Sequence, residues 1–224
     1  MATATEPVTT IRARDSAEQR IVLSGVSWET YQKLSEEIGG RHVLKSYNRG
    51  VLELMSPEAA HEDFKKLLDL LILVLAEELG VPCRRMGSTR WDDPTAKRGL
   101  EPDECYLLTS EKLAQVARKR PEKAEECPRP DLAVEVDISR PAVDRSAIYA
   151  TLGIAEVWRF DGKLLRIDRL RADGGYEPAE VSRFLPIPPE EVARWVVVEW
   201  EADDIAWARR LRAWVKASLA PRAE

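Results

Sequence analysis

The sequence predicts a mixed α/β domain built on a central sheet flanked by helices, and three observations carry that prediction. Strand-like and helix-like patterns follow one another along the chain, which is the order of an α/β architecture. "DLAVEVDI", from Asp131, is apolar almost throughout, as a strand covered on both faces must be. "LLDLLILVLAEELG", from Leu67, is apolar over a face wide enough to be covered on several sides. At 224 residues the chain suffices for one substantial domain.

The first residues, 1–20, are polar and without pattern, and the expectation is a loose tail. They contain no apolar run of the kind that directs export, so a cytoplasmic protein is expected. "VSWETYQKLSEEIG" places Ser27 as a cap before Trp28, Tyr31 and Leu34 at helical spacing and closes on glycine. "RHVLKSYNRGVLELMSP" alternates on both sides of Asn48-Arg49-Gly50 and reads as a β-hairpin. Ser56-Pro57 opens a long helix that runs to about Glu78 and is stopped by Gly80 and Pro82. Its acidic residues and limited apolar length argue against a membrane span.

A strand near Pro82 to Trp91, a turn-rich stretch to Arg98 and the short strand "DECYLL" follow. "SEKLAQVARKRPEKAEECPRP" reads as a charged linker before the central strand. "AVDRSAIYATLG" is helical and ends on Gly153, and "AEVWRF" and "KLLRIDRL" flank Asp161-Gly162 as a second hairpin. The segment from Pro189 is helix-prone and tryptophan-rich, which divides the chain into a tail (1–20), a domain (21–188) and a helical extension (189–224). Trp195, Trp200, Trp207 and Trp214 could cover the core or a partner, so a homodimer is one expectation. Tyr149 and Trp158 read as core residues.

The net charge of -5 argues against a generally basic nucleic-acid coat. Local basic runs exist, at Arg84, Arg85, Arg90, Lys97 and Arg98 around Trp91 and in "ARKR" at 117–120; each is as consistent with solvated charge as with phosphate contact. Cys83, Cys105 and Cys127 are odd in number and spaced for neither a disulfide framework nor a zinc site.

Two acids break the apolar strands. With β-period, Ala133, Glu135 and Asp137 share one face of the central strand and Leu132, Val134 and Val136 the other. Asp103 stands at the head of "DECYLL". A buried charge is costly unless paired. If the two strands are neighbours, their carboxylates converge, and a divalent cation relieves the repulsion. With oxygen donors alone, Mg²⁺ or Mn²⁺ is favoured over Zn²⁺. The competing reading is that each carboxylate pairs with an arginine.

"RGVLELMSPEAAHEDF", "GLEPDECYLL" and "RPDLAVEVDISRPAVDRSAIYATLGIAEVWRFDGKLLRI" together resemble the Uma-two family of restriction-endonuclease-like domains, members of the PD-(D/E)XK nuclease superfamily, over about Ser27 to Leu170. The resemblance implies a restriction-endonuclease-like mixed central sheet flanked by helices, with an N-terminal helix-hairpin and a C-terminal helical extension. It also implies a metal-dependent DNA endonuclease that hydrolyses phosphodiester bonds. Asp103 takes the place of the first acid and Glu135 of the second. The lysine expected two residues on is Asp137 here, and the position from which relatives supply a lysine instead, four before Tyr149, is Arg145. On this resemblance Asp103, Glu135 and the carbonyl of Val136 would hold the metal and Arg145 would stabilise the phosphoryl charge. Glu101, Asp137, His61 and Glu62 are candidates for the surroundings of the metal. Arginine does not give up its proton, so the alternative is a domain impaired in catalysis that binds DNA or a protein partner.

Overall fold

The computed structural model describes residues 10–12, 18–39, 43–117, 121 and 123–219. Strands β1 (Thr10–Arg12) and β2 (Gln19–Leu23) precede helix α1 (Trp28–Ile38), and the hairpin β3 (Leu44–Asn48) and β4 (Val51–Ser56) leads into α2 (Ala59–Glu78). Short strands β5 (Arg84–Arg85), β6 (Trp91–Asp93), β7 (Arg98–Leu100) and β8 (Glu104–Leu107) come next, then α3 (Ser110–Val116) and β9 (Leu132–Val136). Helix α4 (Arg145–Leu152), strands β10 (Glu156–Phe160), β11 (Leu165–Leu170) and β12 (Tyr176–Ala179), and helices α5 (Pro189–Ala193) and α6 (Asp204–Ser218) complete the chain, with a π-turn at Arg194–Val198.

The expected central sheet is β12-β11-β10-β9-β8-β5. It is mixed, because β9 and β10, joined through α4, run parallel while their neighbours run antiparallel. A second sheet, β1-β2-β4-β3-β7-β6, is antiparallel throughout and was not foreseen as separate. The stretch read as one strand from Pro82 to Trp91 accounts for part of this. It breaks at Gly87, whose φ of 62° lies in the left-handed region, so Arg84–Arg85 edges the central sheet and Trp91–Asp93 the other.

Residues Leu132, Val134 and Val136 face the main core, where they meet Leu68, Leu71, Ile72 and Leu75 of α2 and Trp207 and Leu211 of α6. The opposite face of the same strand carries Ala133 into a second cluster. Ile148, Tyr149 and Leu152 of α4 pack there with Trp91 and Leu100 of the second sheet. Helix α4 is thus wedged between the sheets, and Arg98 of β7 stitches it there through the carbonyl of Ala147 (3.2 Å). Helix α1 covers the second sheet by stacking Tyr31 on Tyr47, centroids 4.7 Å apart.

The Ser27 cap forms as expected, accepting from the Thr30 amide. The turn at Arg49 and Gly50 has φ of 47° and 98°, the positive values a tight hairpin requires. Helix α2 begins at Ala59, after Glu58, rather than at Pro57. The charged linker contains α3; Val116 is its buried residue, so one apolar contact per two turns left little pattern to read. Of the tail expected over 1–20, residues 1–9 and 13–17 lie outside the described ones, as do 118–120 of the basic run. Contrary to that expectation, Thr10–Arg12 forms a strand and Glu18 and Arg20 are buried.

Three of the four C-terminal tryptophans turn inward: Trp195 and Trp207 are buried in the main core and Trp214 packs against it. Trp200 remains 51% exposed. The three cysteines are free, with Cys105 buried. Among the described residues no helix is long and apolar enough to cross a membrane.

Candidate active site

The central strand and its antiparallel neighbour bring the two anomalous acids together. Glu104 pairs with Val134 and Cys105 with Ala133. One more residue of that register sets Asp103 opposite Glu135, and the two-residue period puts both on the face that carries Cys105 and Ala133. Both are buried.

Glu135 is held from α4. Asp144 caps that helix by accepting from the Ala147 amide (3.2 Å), which makes Arg145 its first residue and leaves Tyr149 one turn further on the same face. Arg145 Nη1 donates to Glu135 Oε2 (2.6 Å) and to Asp137 Oδ1 (3.1 Å), and Nη2 donates to Glu53 Oε1 (3.1 Å). The Tyr149 hydroxyl donates to Glu135 Oε1. Tyr149 is therefore both the core residue expected and a partner of the site, whereas Trp158 is core, its indole N–H donating to Glu156 (2.8 Å).

Asp103 is held from two other directions. Its Oδ2 accepts from the Val136 amide (2.7 Å), and its Oδ1 meets His61 Nε2 at 2.7 Å. The other nitrogen of His61 meets Glu18 Oε1 at 2.6 Å. Glu18 accepts from Arg20 (2.7 Å), and Arg20 donates to Glu53 Oε1 (2.6 Å), the oxygen that also accepts from Arg145. A continuous chain of hydrogen bonds thus runs from Asp103 through His61, Glu18, Arg20, Glu53 and Arg145 to Glu135.

The chain is dense in acid. Among the described residues its carboxylates Glu18, Glu53, Asp103, Glu135 and Asp137 lie with Arg20, Arg145 and His61, and Arg159 approaches Asp137 at 4.0 Å. Burial would lower the pKa of His61, but its bonds to Asp103 and Glu18 raise it to about 9, so it is a cation at neutral pH. Burial would raise Glu18, and the bonds from His61, Ser139 and Arg20 bring it down to about 2. Glu135 rises to about 7, chiefly through burial; Arg145 offsets part of that, and Asp103 and Asp137 add repulsion.

The remaining candidates divide. Asp137 belongs to the cluster and, with 13% of its side chain exposed, is its opening to solvent. Val136 contributes its amide to Asp103 and its side chain to the core. Glu101 pairs with Lys45 (3.1 Å) and Glu62 turns to Lys65 (3.6 Å), so both are occupied outside the chain of bonds. Sequence reasoning missed Glu18, Arg20 and Glu53. For Glu53 a signal existed: an acid between Leu52 and Leu54 in "VLELM" is the same anomaly as Asp103 and Glu135.

Among the described residues no three His, Cys, Asp or Glu side chains form a ready metal cage. A cation would rest on the two facing carboxylates, with a carbonyl and water completing its shell. Mg²⁺ tolerates this, being held commonly by one or two carboxylates while keeping several waters. Each carboxylate oxygen that accepts one hydrogen bond has a further lone pair. The oxygen-only donors and the closely set carboxylates of Asp103 and Glu135 fit a hard divalent cation.

Residues 28–199 match the model of the Uma2 family, described as "Putative restriction endonuclease". A solved structure described as "a putative nuclease belonging to DUF820", from Anabaena variabilis, is similar to this chain. The match has a TM-score of 0.52 and 13% identity and covers 77% of this chain and 99% of that one. At that identity the likeness speaks for the fold. No curated protein matches the chain.

Proposed function

Because the chain belongs to the Uma2 family, we propose that it is a metal-dependent nuclease that hydrolyses phosphodiester bonds of DNA, with Asp103 and Glu135 at its centre. The observation that supports this reading is the pairing of those two buried acids across adjacent strands, close enough that Asp103 repels Glu135. Buried acids that repel one another carry a cost that a bound cation would relieve.

Asp103, Glu135 and the carbonyl of Val136 would hold Mg²⁺ or Mn²⁺. When bound, such an ion supplies polarisation of the scissile phosphate and a water of lowered pKa. The chain's own residues do the rest. The Tyr149 hydroxyl and Arg145 fix the Glu135 carboxylate, and the Val136 amide and His61 fix that of Asp103. Arg145 remains charged throughout and cannot accept a proton, so its part is that of a fixed positive charge beside the phosphoryl oxygens. In the reaction the water oxygen bonds to phosphorus and loses a proton to solvent, while the phosphorus–oxygen bond to the leaving sugar breaks and that sugar oxygen takes up a proton from solvent.

The test is cleavage of plasmid and oligonucleotide DNA by the wild type and by Glu135→Gln, with Mg²⁺, Mn²⁺ or EDTA. The expectation is cleavage with either metal, none with EDTA, and a loss of roughly a hundredfold or more in the variant. Equal cleavage by wild type and Glu135→Gln would overturn the reading. Arg145 in place of a lysine supports a second reading, a domain that binds DNA without cutting it. DNA binding by a wild type that cleaves under none of these conditions would favour it.

A further inference from the structure

A cleft of about 450 Å³ lies at the carboxyl ends of β9 and β10, bounded by Asp137 just past one strand and Asp161 just past the other. These strands are the parallel pair of the central sheet, and the crevice beyond the carboxyl ends of parallel strands is where α/β sheets take ligands. Its size lies within the range of about 300–1,000 Å³ usual for ligand pockets. Asp137 ties it to the candidate active site, because that carboxylate both lines the cleft and accepts from Arg145.

The lining is basic, although the whole chain carries a net charge of -5. Arg140, Arg159 and Arg166 face Asp137 and Asp161. Asp161 is occupied with the amides of Lys163 and Leu164, which close its turn (2.9 and 2.7 Å). Arg159 and Arg166 share Asp168 (3.0 and 2.8 Å), and Arg159 also donates to Ser146 (3.2 Å) and lies 4.0 Å from Asp137, so it is fully engaged. Arg140 is exposed and makes no ion pair among the described residues. Arg140 and the Nη1 of Arg166, whose Nε and Nη2 are on Asp168, leave donors for an anion, and their planar forks suit phosphate. The other wall is apolar. Leu164, at the tip of the β10–β11 hairpin, is 69% exposed and lines the cleft together with Pro141. One exposed leucine means little; one set among three arginines beside an acid cluster pairs an apolar face with a phosphate site.

We propose that this cleft seats one unpaired nucleotide of the substrate strand, its phosphate at Arg140 and Arg166 and its base against Leu164 and Pro141. The inference rests on the nuclease reading and adds to it the state of the nucleic acid. In a duplex both faces of a base are covered by its neighbours, so a wall such as Leu164 is reached only by a base that has left the stack.

The test is binding of a fluorescein-labelled single-stranded 12-mer, and of its duplex, in EDTA, which keeps cleavage out of the measurement. Wild type is compared with Arg140→Ala and Leu164→Ala, which truncate exposed side chains, with the fold of each checked by circular dichroism. The single strand should bind more tightly than the duplex. Arg140→Ala should weaken it roughly tenfold and lower the slope of log affinity against log salt by about 0.7, the value of one phosphate contact on a single strand. Leu164→Ala should weaken it roughly fivefold with the slope unchanged. Tighter binding of the duplex, or an unchanged single-strand affinity in either variant, would overturn the proposal. Failure here leaves metal-dependent cleavage free to succeed, and absence of cleavage leaves a positive binding result standing, so the two ideas fail separately.

Discussion

Replacing Arg145 by methionine removes the one cation shared by Glu135, Asp137 and Glu53 while keeping a side chain of comparable length. The guanidinium lies 2.6, 3.1 and 3.1 Å from those carboxylates and is 4% exposed. Breaking a buried ion pair from one side costs about 3–5 kcal/mol, because the partner charge is left uncompensated. For a domain of this size each kcal/mol lowers Tm by about 2–4 °C, so the fall should be about 6–20 °C at pH 8. Glu135 sets the sign of the pH dependence. Its pKa is already raised above 4.5 to about 7, and loss of Arg145 raises it further. A raised carboxyl pKa means the folded state holds its proton more tightly than the unfolded state does, so the penalty grows as pH rises above 4.5. The deficit should therefore be smaller at pH 5.5 than at pH 8. Arg145→Lys, which keeps the charge but not the fork, should lose about half as much. Guanidinium denaturation of the three proteins at both pH values gives the answer. A deficit below about 1 kcal/mol at pH 8, or one independent of pH, would refute the view that this arginine is what compensates the buried acids.

The Glu18–His61 link predicts a window of its own. His61 rises from 6.5 to about 9, so its contribution, on the order of 3 kcal/mol, is complete below pH 6.5 and fades as pH climbs through 9. Glu18 falls from 4.5 to about 2, so its share is present above pH 4.5 and is lost as pH drops toward 2. The stability gap between wild type and His61→Gln, measured by denaturation, should be widest between pH 4.5 and 6.5 and clearly narrower at pH 9.5; a constant gap would count against the link. Trp207→Ala, which empties a fully buried site where α6 meets α2, should cost about 3–5 kcal/mol, whereas a dispensable C-terminal segment would give no loss. Gly99→Ala drives a Cβ into the carboxylate of Asp92 and the hydroxyl of Tyr31, which are hydrogen-bonded to each other, and should cost about 1–3 kcal/mol; a neutral effect would mean that α1 yields readily.

Which parts could be read from the sequence follows from the range over which each signal acts. The two faces of "LAVEV" were legible because a two-residue period is local, and the same alternation placed Asp103 beside Glu135 once the strands were taken as neighbours. The hairpin at Asn48 and the Ser27 cap were legible because a positive φ and a capping hydroxyl select few residue types. The second sheet was not, since pairing β3 with β7 joins segments about fifty residues apart through strands of three to five residues. The chain of bonds around the acids was hidden for the same reason. Glu18 and Arg20 sit in a stretch that looks polar and patternless, and only the fold brings them to His61 and Glu53. The arginine pairing weighed against the metal holds for Glu135, through Arg145, although burial still raises its pKa.

The central claim is that Asp103 and Glu135 share one divalent cation, and calorimetric titration of Mn²⁺ into the wild type, Asp103→Asn and Glu135→Gln tests it most directly. The account predicts one site per chain in the wild type and loss of at least tenfold in affinity in each variant. It also predicts that Glu135→Gln, relieved of a repelled carboxylate, stays folded without metal. Mn²⁺ binding of equal strength in all three proteins would place the cation elsewhere and contradict the account.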